Sequence, residues 1–166
     1  MIMGIITLSE NKRRLAQIAL STLCIAVALF IFAAGSFGPS TREQALASGD
    51  SRALTLDGNT ILVAIADTYK ERERGLGGRT SLAPNSGMLF IFPKEGKYAF
   101  WMKGMHFSID IVWLANDGSI IDIKENISPD TFPASFAPPS PARYVLELPA
   151  GYVKAHGIQI GDKAVL

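Results

Sequence analysis

Every apolar run after Asp50 is short, and almost every one stops at a turn-forming residue. Eight such runs, of five to nine residues, cover Ala53 to Asp57, Thr60 to Ala66, Gly87 to Phe92, Tyr98 to Lys103, Ile109 to Ala115, Ser119 to Ile127, Tyr144 to Leu148 and Ile158 to Leu166. They are rich in β-branched and aromatic residues and are bounded by Gly, Pro, Asn or Asp, the composition that suits a pleated, half-buried strand. Asp57-Gly58-Asn59 and Asn116-Asp117-Gly118 hold the residues that tolerate positive φ, so each predicts a tight hairpin. The pattern predicts a compact, mainly β, antiparallel barrel-like domain.

Two short helices are expected beside the strands. Thr68-Tyr69-Lys70-Glu71 has the form of a capping box, in which hydroxyl and carboxylate satisfy the open amides of a first turn. A helix would run from Tyr69 to about Leu76, ended by Gly75, Gly77 and Gly78. Tyr152 to His156, closed by Gly157, predicts a single helical turn with His156 near its negative end.

The chain has 166 residues, 48% of them hydrophobic and 19% charged, which is a globular balance with room for one ordinary domain. Its formal charge is +1 overall, but from Asp50 onward 12 Lys or Arg face 13 Asp or Glu, a net of −1. That is not the basic footprint of a nucleic-acid-binding protein.

Ahead of the strands, residues 1–14 form a basic region ending in Lys12-Arg13-Arg14, and residues 15–34 form a charge-free run of 20 residues. This length spans a hydrocarbon core as a helix, so the run predicts a transmembrane anchor or signal segment. The positive charges precede it, which places the N-terminus in the cytoplasm and the domain outside. Length favours an uncleaved anchor. Ala33, Ala34 and Gly35 keep a secreted or periplasmic form, after signal cleavage, as the alternative. Residues 35–51 read as a small, polar linker and residues 52–166 as the folded domain. The one cysteine, Cys24, lies in the apolar run, so no disulfide forms within the chain and the domain is cysteine-free, as suits an oxidising compartment.

The segment 126–142 holds five prolines, which lack the amide a central strand needs. It is expected to be a long, stiff loop, with Phe132 and Phe136 either packing it onto the barrel or offering a contact surface to a protein partner.

The stretch Phe100 to Trp113 interrupts apolar β-like runs with Lys103 and Asp110. Between Ile109 and Ile111, Asp110 either faces the core and needs a partner or sits on a sheet face that uses its charge. Arg72, Arg74, Arg79, Lys103, Asp110 and Glu147 are the polar residues of interest around this stretch. An arginine fork clamps carboxylate or phosphate, and Lys103 supplies a point charge beside an aromatic wall at Trp101. The competing reading is structural: Asp110 pairs with an arginine across the helix–sheet junction, and Phe100, Trp101, Phe107 and Trp113 pack the core. His106 and His156 form no ligand cluster, so no metal or other cofactor is expected. Asp117, Asp122 and Glu125 read as a solvated sheet face. Ser108 between His106 and Asp110 does not make a triad, because residues two apart on a strand stand nearly 7 Å apart.

Thr68-x-x-Glu71-Arg72-x-x-Gly75-Leu76-x-x-Arg79, Gly87-Met88-Leu89-Phe90-x-Phe92, Phe100-Trp101-Met102-Lys103, Ile109-Asp110-Ile111 and Tyr144-Val-Leu-Glu147-Leu-x-Ala150-Gly151 together resemble the prokaryotic family called domain of unknown function 192. The likeness runs from about residue 53 to 166. It implies a compact, β-rich fold in proteins that are often exported or membrane-tethered, with no established activity. Here Gly104-Met105 stands where members commonly carry Asn-Thr, and Ser108 where many carry Pro.

The leading expectation is an outward-facing, membrane-anchored, non-catalytic module that binds a small molecule, envelope component or protein segment through Arg72, Arg79, Trp101, Lys103 and Asp110. One rival is an envelope hydrolase or lyase with Asp110 as base and Arg or Lys as stabiliser. Another is a structural partner in an exported assembly, docking through the Pro-rich loop.

Overall fold

A computed structural model describes residues 51–165; the basic region, the apolar run 15–34 and the linker up to residue 50 lie outside the described residues. Among the described residues no helix is long and apolar enough to cross a membrane.

Strands β1 (Ser51–Leu56) and β2 (Asn59–Ala66) form a hairpin whose two-residue turn, Asp57-Gly58, has φ of 45° and 76°. Positive φ at both positions matches the twist of the flanking strands. Helix α1 (Tyr69–Arg74) follows, then β3 (Ser86–Gly96), β4 (Phe100–Trp101), β5 (Ile109–Leu114), β6 (Ile120–Ile127), β7 (Ser135–Phe136), β8 (Ala142–Pro149), helix α2 (Tyr152–His156) and β9 (Ala164–Val165). Seven strands make one sheet in the order β6-β5-β8-β3-β2-β1-β9, while β4 and β7 pair separately.

The sheet curls into a half-barrel. At one end its two margins are tied by the segment before and within β9. Ile120 N donates to Asp162 O at 2.8 Å, Gly161 N to Ile120 O at 2.9 Å and Ala164 N to Gly118 O at 2.9 Å, while Ala164 and Val165 pair with Leu56 and Thr55 of β1. A side chain at Gly118 would run into Ala164 O, and its φ of +83° is left-handed, so glycine is required there twice over.

Because strand side chains alternate, the sheet sorts its residues onto two faces. The inner face carries Leu54, Leu56, Ile61, Val63, Ile65, Leu89, Val112, Leu114, Leu146 and Leu148, and is capped by Tyr152 and Val153 of α2. The outer face carries Ala64, Ala66, Met88, Phe90, Ile111, Trp113 and Val145, and is covered by Leu76, Met102 and Phe100. Central strands buried on both faces read as near-continuous apolar runs, and all six residues of β5 are buried, Asp110 being the one that is not apolar.

Several expectations are corrected by the structure. β2 and β3 run parallel, although the other pairings are antiparallel. The connection 67–85 is long enough to carry the chain back across the sheet, which a parallel pair requires. Only Phe100 and Trp101 of the Tyr98 to Lys103 run are strand, and, among the described residues of the Ile158 to Leu166 run, only Ala164 and Val165. Both segments lie outside the central ladder, where local apolar character packs without extended pairing. The Pro-rich loop contains a 3₁₀ turn (Pro129–Thr131) and β7, which pairs with β4 and ties the loop to the outer face. Asp122 is buried rather than solvated, its carboxylate held by Lys124 Nζ at 2.9 and 2.8 Å.

Candidate functional site

A cleft of about 600 Å³ opens on the outer face between α1, β3 and the segment 98–105. Its first wall depends on how α1 is fixed. Thr68 Oγ1 accepts from Glu71 N at 3.2 Å, and Glu71 Oε2 accepts from Thr68 N at 3.0 Å and from its hydroxyl at 2.8 Å, the expected capping box. These bonds from Thr68 pull the Glu71 carboxyl below its ordinary pKa. One turn on, Arg72 Nη1 donates to Ile91 O at 2.9 Å and to Asp67 O, and the guanidinium lies 5.3 Å from the centre of the Phe92 ring. Arg72 thereby fastens the helix to β3 and still lines the cleft.

The opposite wall is aromatic. Tyr98 stacks on Phe92 with ring centres 3.5 Å apart, and Phe100 meets Phe90 edge-on at 4.9 Å and Trp113 at 6.2 Å. The buried Trp113 Nε1 donates to Tyr98 O at 3.1 Å, which anchors this segment to the sheet. Alternation then turns Met102 inward, 2% exposed, and Trp101 outward, 54% exposed. Lys103 Nζ lies 5.4 Å over the Trp101 ring, and Phe132 of the Pro-rich loop meets the same indole at 5.8 Å. Phe136 packs against the outer core, the first of the two roles expected of the pair, and Phe132 is exposed beside Trp101.

The floor is Phe90, Leu76 and Glu147. Glu147 sits between Met88 and Ile111 in the ladder, is 6% exposed, and its Oε2 has no hydrogen-bond partner among the described residues. Burial pushes its pKa up to about 8, opposed by the nearby Arg79 guanidinium. Arg79 in turn is lowered by burial and by Arg74, and raised by Glu147. At neutral pH Glu147 is consequently a neutral carboxylic acid, able both to donate and to accept a hydrogen bond.

Asp110 is elsewhere. One residue out of phase with Ile111, it points to the inner face and is fully buried. Its Oδ1 accepts from Asn126 N at 2.8 Å and Gly151 N at 3.1 Å, and its Oδ2 from Val153 N at 3.0 Å. The partners are backbone amides, where an arginine had been expected, and they knit β5 to the end of β6 and the start of α2.

Of the five residues singled out from the sequence, the fold brings Arg72, Trp101 and Lys103 to one cleft and sets Arg79 within electrostatic reach of its floor. Asp110 does not line it. Glu147 is the group the sequence-based site left out. Its signal was present, since it is a lone charge between Leu146 and Leu148, just as Asp110 is between Ile109 and Ile111. Among the described residues no three His, Cys, Asp or Glu side chains gather as metal ligands would.

The fold and cleft define a class: a small, curled-sheet β domain with a ligand-sized, aromatic-walled cavity over a buried acid. The chain belongs to the DUF192 family, described as Uncharacterized ACR, whose model matches residues 52–166. A UPF0127 protein of Thermococcus sibiricus is 33% identical over 105 residues, covering 61% of this chain and 63% of that relative, so the match spans less than two thirds of its length. A UPF0127 protein of Pyrococcus furiosus is 29% identical over 105 residues, covering 62% of this chain and 84% of the relative. Among solved structures, a Sinorhizobium meliloti 1021 protein described as a candidate transcription regulator is similar with a TM-score of 0.67 and 36% identity, over 71% of this chain and 95% of that one. A protein of unknown function from Novosphingobium aromaticivorans DSM 12444 is similar with a TM-score of 0.65 and 27% identity, over 70% and 85%.

Proposed function

We propose that the domain is a small-molecule-binding module whose ligand lodges in the outer-face cleft. The observation that carries the reading is the Glu147 carboxyl, buried at the floor with Oε2 unpartnered among the described residues. A buried polar group without a partner costs stability, and a ligand that completes its hydrogen bond recovers that cost. Phe92, Tyr98, Phe100 and Trp101 supply flat apolar contact around it.

The apolar run 15–34 after Lys12-Arg13-Arg14 supports a membrane tether that holds this module outside the cytoplasm. In that setting the ligand is a solute or envelope component, and the exposed Trp101–Phe132 pair at the mouth is where a protein segment would touch. One observation favours a catalytic version: a carboxylic acid that keeps its proton at neutral pH is suited to general acid work. That role falls to Glu147, since both Asp110 oxygens are taken by amides on the other face.

The test is a fragment screen read by NMR chemical shifts. Binding fragments are expected to move the signals of Phe92, Tyr98, Trp101 and Gly75 together and to weaken in Trp101→Ala. Fragments that shift only residues away from the cleft, or none that bind, overturn the assignment.

A further inference from the structure

The walls and the floor of the cleft make separate demands on an occupant, and only one chemistry meets both. Resting on the reading of this cleft as a small-molecule site, we infer that the occupant is an organic anion: an apolar, flat body between the aromatic walls, bearing a carboxylate, phosphate or sulfonate that accepts a hydrogen bond from the Glu147 carboxyl group.

The geometry of charge carries this. The lining holds three cations, Arg72, Arg74 and Lys103, against two acids, Glu73 and Glu147. Among the described residues Glu147 is buried without a partner for Oε2, so ionising it would leave a poorly solvated charge in the floor that the nearby Arg79 offsets only in part; its pKa near 8 agrees. With the proton in place the lining is net positive. Charged and titratable groups face Glu147 from two of the packed elements. Arg72, Glu73 and Arg74 come from α1, Arg79 from the turn after it, and Tyr98 and Lys103 from the aromatic wall, while the flanking strands offer Met88 and Ile111, which do not titrate. A cationic ligand would have to pass the arginines and lysine to reach a floor that bears no charge. An anion is drawn by those same groups, and the floor offers it a donor.

The cations do not compete for the floor. Arg72 already spends Nη1 on two carbonyls, and Arg74 and Lys103 are exposed at the rim. Their contribution is long-range attraction, which salt screens, whereas the hydrogen bond from Glu147 is shielded.

Two fluorescent probes with one ring system separate the parts of the claim: anilinonaphthalene sulfonate, an anion, and phenylnaphthylamine, its uncharged counterpart. At about pH 6 and low salt the sulfonate is expected to bind about tenfold tighter, and Lys103→Gln and Arg74→Gln each to cut that preference severalfold. Between about pH 6 and pH 9 sulfonate affinity is expected to fall about tenfold in the unaltered protein and to stay flat in Glu147→Gln. Equal affinity for the two probes, or a sulfonate preference indifferent to pH and to both rim variants, overturns the anion inference and leaves the cleft assignment standing. If neither probe is weakened by Trp101→Ala, the cleft assignment fails as well.

Discussion

Two acidic side chains, Asp110 and Glu147, are buried in adjacent strands of one sheet and live in opposite circumstances. Asp110 faces inward and collects three backbone amides from β6 and the start of α2, so its charge is spread over donors that would otherwise need partners of their own. Glu147 faces outward beneath an aromatic cleft, and among the described residues one of its oxygens has no hydrogen-bond partner. The ladder pairs Glu147 with Ile111, the residue after Asp110, and that offset of one decides everything, because strand neighbours point to opposite faces. A buried acid is part of the scaffold when the backbone supplies its donors, and a candidate for function when it does not.

The contrast is most easily broken at Asp110. Asp110→Ala strands the buried Val153 amide and the partly buried Asn126 and Gly151 amides, and about 4 to 5 kcal/mol of stability is expected to be lost, read as a collapse of the urea midpoint or as failure to fold. Glu147→Gln is expected to do the reverse. The native carboxyl keeps a proton up to about pH 8 that the unfolded chain releases near its ordinary value of 4.5. The unaltered protein therefore loses stability as pH rises through that window, on the order of 5 kcal/mol by its upper end, and levels off above it. The Gln variant is expected to show no such slope, so urea midpoints measured from about pH 5 to about pH 9 should diverge with Gln the more stable. A common slope in both proteins would move the titrating group elsewhere.

A smaller effect is expected at Gly87, where an added Cβ would sit 2.7 Å from Glu147 O. Gly87→Ala forces β3 and β8 apart under the cleft floor and should cost about 2 kcal/mol in thermal unfolding, with probe binding weakened alongside. The smallest effect is expected at Trp101, which is 54% exposed. Trp101→Ala should shift stability by less than about 1 kcal/mol while removing most of the binding, a separation that sets the cleft apart from the core.

Local chemistry carried much of the fold into the sequence. The Asp57-Gly58 turn, the Thr68–Glu71 box and the strands of the central ladder depend on residues close in the chain, and they were legible there. The parallel pairing of β2 with β3 was not, because alternation reports that a strand is buried and says nothing of its neighbour's direction. In the site, Trp101 and Lys103 stood out as an aromatic beside a charge, and Arg72 as part of a capped helix. Choosing between Asp110 and Glu147 needed the partners of each, and those lie up to 43 residues away in sequence. A lone acid among aliphatic residues looks the same whether the fold goes on to satisfy it or to leave it waiting.

The stretch from Gly161 to Val165 joins the sixth strand to the first, and it leaves the ribosome after every other strand of the sheet has been made. Until it arrives, the outer edges of the first and sixth strands lack these partners, and the sheet stays an open ribbon. Shape is completed by the last-made clasp, so a polypeptide built this way commits to its final form late.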